Sequence, residues 1–117
     1  MNKKLEYPIH YDIEVANKVN NGCGPAGWKG YLIPDTIWGV SIKEACKIHD
    51  YDFHVGGTMF NFMIANSRFG NNMNTLIKSS KLAKCTPFLN WARRRRAKLY
   101  YDAVREFGEK HFNFIEE

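Results

Sequence analysis

A chain of 117 residues, 44% hydrophobic and 15% aromatic, is sized for one domain with a modest core and is too apolar to stay disordered. No apolar run approaches the roughly 20 residues of a membrane-spanning helix, and the three cysteines lack the paired C-x-x-C arms of a zinc ribbon. The formal net charge of +5 favours anionic partners (acidic lipid, nucleic acid or acidic protein) without choosing among them.

From Met1 to Glu14 the chain carries lysines but no apolar stretch of the kind a secretory leader needs. That leaves residence inside the cell, export by another route, or a leader removed ahead of Met1. Ile13, Val15, Ala16 and Val19 recur at helical spacing, and Asn20-Asn21-Gly22 supplies a stop, so a short first helix is predicted over 11–19. Residues 22–40 are rich in glycine and hold Pro25 and Pro34, which reads as a long irregular loop. Loops of that length in compact domains are usually functional.

Ser41-Ile42-Lys43-Glu44 has the pattern of a capping box, in which Ser41 accepts from the third amide and Glu44 reaches back. The helix it predicts runs to about Val55 and stops at Gly56-Gly57. A further helical stretch is predicted over 58–80, with Gly70-Asn71-Asn72 as its candidate break. Thr86-Pro87 is a helix start, and that helix should run to about Phe107 before Gly108. Strand signals are nearly absent, so an all-α fold with a long loop and room for a small hairpin is expected. Arg93-Arg94-Arg95-Arg96 spreads around a whole helical turn, and both a solvated turn and a ligand-binding role fit it.

The chemistry concentrates around His49. On a helix over 41–55, Cys46, His49 and Phe53 share one face, and Asp50 lies on an adjacent strip with Cys46 and His54. A histidine titrates near neutrality and is a candidate general base. A carboxylate beside a loop of free carbonyls is what a hard calcium ion needs. Reading His49, Asp50, Asp52 and His54 as a transition-metal cluster is disfavoured, because those positions scatter around a helix. The cysteines allow one disulfide and a free thiol, or three thiols.

Cys23-Gly24-Pro25-Ala26-Gly27 followed by Cys46-Lys47-Ile48-His49-Asp50 resembles the phospholipase A2 family. The likeness is densest over 22–53. It continues more weakly through Ala65-Asn66-Ser67-Arg68-Phe69 and Tyr100-Tyr101-Asp102-Ala103-Val104, as in the shorter bacterial and phage-type members. The dense disulfides of the venom and pancreatic enzymes are missing. The resemblance implies a single domain over 1–117, all-α, with two long antiparallel helices carrying the site, a calcium-binding loop and a short N-terminal helix. It implies calcium-dependent hydrolysis of the sn-2 acyl ester of glycerophospholipids, with His49 as general base. Asp50 and the backbone carbonyls of Gly22, Gly24 and Ala26 would hold Ca2+, and the Gly24 amide would donate to the oxyanion. Cys23 and Cys46 match a disulfide pair of the family, leaving Cys85 as a thiol. The implied partner is a phospholipid membrane surface, preferably anionic, with no nucleic acid, and the implied setting is secreted or released.

Two positions depart from the family pattern. Asn66 stands where the family has an aspartate that holds the histidine's far nitrogen, and Asp102 is the second candidate for that role. An amide accepts the hydrogen bond but offers the imidazolium no charge. Phe53 stands where many members have a tyrosine, and Tyr100 or Tyr101 could supply a hydroxyl instead. A catalytically weakened calcium- or membrane-binding descendant is therefore the alternative. Trp28, Leu32, Ile33, Trp38 and Phe60 are candidate interfacial side chains, although core packing explains Trp38 and Trp91 equally well. A small basic helical protein that binds nucleic acid through residues 93–96 is a further alternative, but it lacks a recognition-helix signature.

Overall fold

The computed structural model describes residues 4–20, 23 and 34–115. Helix α1 spans Ile13–Val19, and Asp12 caps it by accepting from the amides of Glu14 and Val15 at 2.9 and 3.3 Å. Strands β1 (Thr36–Ile37) and β2 (Val40–Ser41) form a small antiparallel hairpin in which Ile37 pairs with Val40. Its turn residues, Trp38 and Gly39, have φ of 47° and 84°, the left-handed pair that a tight hairpin of this twist requires. Glycine adopts that conformation freely, whereas a tryptophan there costs about 1–2 kcal/mol.

Helix α2 (Lys43–Val55) follows directly, and here the predicted capping box fails. Ser41 is in β2 opposite Thr36, the helix starts after Ile42, and the Ser41 Oγ reaches only the Lys43 amide, at 3.4 Å, so the box does not close. A true box lies at the next helix. Thr58 Oγ1 accepts from the Asn61 amide at 3.3 Å while Asn61 Oδ1 accepts from the Thr58 amide at 2.9 Å.

Helix α3 (Met59–Ser79) runs unbroken through Gly70-Asn71-Asn72, against the expected break. Gly70 and Asn72 are there for packing rather than for a turn, and Asn71 is exposed. A Cβ on Gly70 would lie 3.2 Å from the Tyr101 ring, and the buried Asn72 amide pairs with the Glu6 backbone at 2.7 and 2.9 Å. Helix α4 (Lys81–Cys85) ends at Thr86, whose hydroxyl donates back to the Leu82 carbonyl at 2.7 Å. Thr86 thus ends α4 and also stands at the N-cap position of the turn that Pro87 opens, as expected, but its side chain caps nothing there. Pro87–Leu89 form a single 3-10 turn, and helix α5 runs over Asn90–Phe107.

Helix α3 packs against both α2 and α5. Phe62, Ala65, Asn66, Phe69, Met73 and Ile77 recur on it every three or four residues, which puts all of them on its buried side. Helix α2 meets that side with opposite chain direction: Phe53 touches Phe62, and one turn earlier His49 touches Asn66. Phe112 closes the cluster against Phe53 and Phe62, with ring centroids 5.2 and 5.4 Å away. The backbone around it straps the end of α2: the Asn113 amide donates to the Phe53 carbonyl, and the Gly57 amide donates to that of Asn113. Gly56 is required there, since its φ is 71° and a Cβ would collide with the Asn113 carbonyl. The all-α expectation holds, with the hairpin as its one sheet among the described residues.

Candidate active site

His49 projects from the buried side of α2 into the seam with α3. Its ring lies between Phe53 and Phe69, with centroids 4.1 and 4.6 Å away. Its Nε2 is 3.0 Å from Asn66 Oδ1. A carbonyl oxygen only accepts, so Nε2 carries the proton and Nδ1 keeps the lone pair. Burial, which penalises the charged imidazolium, lowers the His49 pKa to about 4; the hydrogen bond to Asn66 pulls weakly the other way. At neutral pH the ring is therefore neutral and able to accept a proton.

Asn66 sits on the buried side of α3, one residue past Ala65 and three before Phe69. Its Oδ1 serves His49, while its Nδ2 is buried with no partner among the described residues. Such an orphan donor costs about 1–3 kcal/mol. A carboxylate in the same place would remove the orphan and supply charge to an imidazolium. Asp102, the other candidate for this role, is excluded: it pairs with Lys98 at 3.1 Å on the exposed side of α5. Tyr100 is buried in the core, and Tyr101 lies beneath the Arg105 guanidinium at 5.6 Å. Neither extends the His49–Asn66 pair, and Phe53 contributes packing where a hydroxyl was sought.

Asp50 follows His49 on α2 and is half-buried. One turn before it, Cys46 is bonded to Cys23, with Cα atoms 4.9 Å apart. The covalent tie brings the chain at Cys23 to the side of α2 that carries Asp50. Gly22, Gly24 and Ala26, named as carbonyl ligands, and the Gly24 amide lie outside the described residues, as do Trp28, Leu32 and Ile33. The oxygen donors that this segment and Asp50 can offer are hard, which suits calcium. Cys85 is a free, exposed thiol.

The neighbouring titratable groups turn elsewhere. Asp52 bridges to Arg68 on α3, with one guanidinium nitrogen 2.7 and 2.8 Å from its two oxygens. Burial nonetheless pushes the Asp52 carboxyl above its usual range, against the hydrogen bond and charge of Arg68. His54 is exposed. His49, Asp50, Asp52 and His54 thus spread around α2, as their spacing indicated.

Two side chains take positions that the sequence did not assign them. Phe69, against the His49 ring, was detectable as the residue one helical turn past Asn66. Arg93 is almost fully buried: its guanidinium donates to the Trp38 carbonyl at 2.7 Å, to Thr86 Oγ1 at 2.9 Å and to Asn90 Oδ1 at 2.9 Å. It continues the inward stripe of Ala97, Tyr100 and Val104 on α5, which was the available signal. Compared with known proteins, the chain matches no protein-family model, no curated protein and no solved structure.

Proposed function

We propose that the chain is a phospholipase A2-like enzyme that hydrolyses the sn-2 acyl ester of glycerophospholipids in a calcium-dependent reaction. The observation that carries this reading is the His49–Asn66 pair at 3.0 Å, which leaves Nδ1 as the lone-pair nitrogen of a neutral ring. His49 Nδ1 takes a proton from water as the water oxygen attacks the ester carbonyl, and then returns it to the departing glycerol oxygen. Asn66 holds the ring in the working tautomer, and Phe53 and Phe69 fix its plane. Asp50 and the carbonyls of Gly22, Gly24 and Ala26 would hold Ca2+, which when bound supplies polarisation of the ester carbonyl and a counter-charge for the substrate phosphate. The Gly24 amide would donate to the oxyanion. The Cys23–Cys46 bond supports the reading because it ties the loop to α2 one turn from Asp50.

The test is fatty-acid release from phospholipid vesicles, with and without chelator, for the parent chain and His49→Gln. Both treatments should abolish release. Release that survives either one refutes the assigned roles. A second reading, a calcium- or membrane-binding module without turnover, is favoured by the uncharged Asn66. Asn66→Asp separates the two, since a rise in rate marks a working but weakened base and no rate in either form favours the module.

A further inference from the structure

We infer that a surface apart from the His49 site, the groove between the hairpin and α5, docks the protein on an anionic phospholipid bilayer. Trp38 and Trp91 line this groove and are 52% and 63% exposed. Leu99 continues its apolar floor, and Arg95, Arg96 and Lys98 complete the lining of a space of about 580 Å³. The one acid there, Asp102, is already neutralised by Lys98 at 3.1 Å.

The exposure of Trp38 is built in. Its backbone sits at φ 47°, a conformation that a bulky residue rarely adopts, and the buried Arg93 clamps its carbonyl through two nitrogens at 2.7 and 3.3 Å. The hairpin turn and the Arg93 clamp together keep the indole in water beside Trp91, where a partner can cover both rings. Phe88, 70% exposed, lies three residues before Trp91, and Leu82 packs beside Gly39 and is itself exposed.

This combination fits a bilayer. Indole rings partition to the water–lipid boundary, exposed aliphatic and phenyl groups gain from hydrocarbon, and basic residues gain from anionic headgroups. A nucleic-acid surface would use the tryptophans and arginines but would leave Leu82 and Leu99 without purpose. The arginine run also presents fewer cations than its sequence promises, because Arg93 is turned inward. The inference rests on the phospholipase reading for its choice of lipid, while its residues lie outside the catalytic pair.

The experiment is co-sedimentation with vesicles of phosphatidylcholine and phosphatidylglycerol, or of phosphatidylcholine alone. The parent chain should bind the anionic vesicles, and Trp91→Ala and the double variant Arg95→Ala/Arg96→Ala should each bind about tenfold more weakly. Hydrolysis of a short-chain phospholipid below its micellar concentration should be unaffected by those changes. His49→Gln should lose hydrolysis and keep vesicle binding. Vesicle binding through the groove in a parent chain that hydrolyses nothing would uphold the docking surface and sink the catalytic reading alone. In a Trp28→Phe/Trp38→Phe chain, Trp91 emission should shift to the blue on anionic vesicles. Unchanged vesicle affinity in both groove variants, or no such shift, overturns the inference. So does a single-stranded oligonucleotide that binds more tightly than the vesicles and is lost by the same variants.

Discussion

At the scale of single residues, the state of His49 governs two expectations. Its folded pKa near 4 lies below the ordinary 6.5, so on acidification the unfolded chain takes up the proton first. The stability tied to the neutral ring is complete above about pH 6.5 and drains away as pH falls towards about 4, to a limit of about 3 kcal/mol. Urea denaturation followed across that window should show the loss in the parent chain and a flatter profile in His49→Gln. Asn66→Asp should move the acid limb of the activity profile up towards neutrality, because a carboxylate stabilises the imidazolium. It should also raise turnover by about tenfold or more. The family resemblance, aligned through Ala65-x-x-x-Phe69, offered Asn66 as the first of two candidate partners for His49, with Asp102 the other; the orphaned Asn66 Nδ2 was not legible at all. An unsatisfied amide depends on what surrounds it in space.

At the scale of elements, caps and breakers were the least legible features. Ser41 carried a good capping pattern, yet it lies in a strand opposite Thr36 and its hydroxyl reaches only the Lys43 amide. Gly70-Asn71-Asn72 resembled a helix stop, yet Asn72 satisfies the backbone of Glu6, 66 positions away. Asn72→Ala would remove both hydrogen bonds to the Glu6 backbone and should cost about 1–2 kcal/mol, read by chemical denaturation. Gly70 and Asn71 should tolerate helix-forming substitutions differently. Asn71 is exposed and neutral to alanine, whereas a side chain on Gly70 presses on Tyr101.

At the scale of the whole molecule, the Cys23–Cys46 bond spans 23 positions of sequence and joins the glycine-rich segment to the helical body. Its reduction should lower stability by about 3 kcal/mol through the freed chain alone. If the segment supplies calcium ligands to Asp50, reduction should also weaken calcium affinity, which titration calorimetry with and without reductant measures. The net charge of +5 shapes the approach to any anionic surface. The cations of the groove, Arg95, Arg96 and Lys98, all lie on α5 and still need an apolar anchor to hold the contact, which in the proposed docking Trp38 and Trp91 supply.

Local sequence determined the helices: the periodic apolar positions of α1, α2, α3 and α5, and the glycine stop after α2, depend on neighbours within about one turn. It also put Cys46, His49 and Phe53 on one face. Tertiary structure alone decided that Asn66, and not Asp102, holds His49. It decided too that Arg93 turns inward to hold a tryptophan in a strained turn while Trp91 stays in water. Those outcomes are contacts between segments far apart in the chain, set by which buried polar groups find partners when the helices pack, and periodicity carries no record of them.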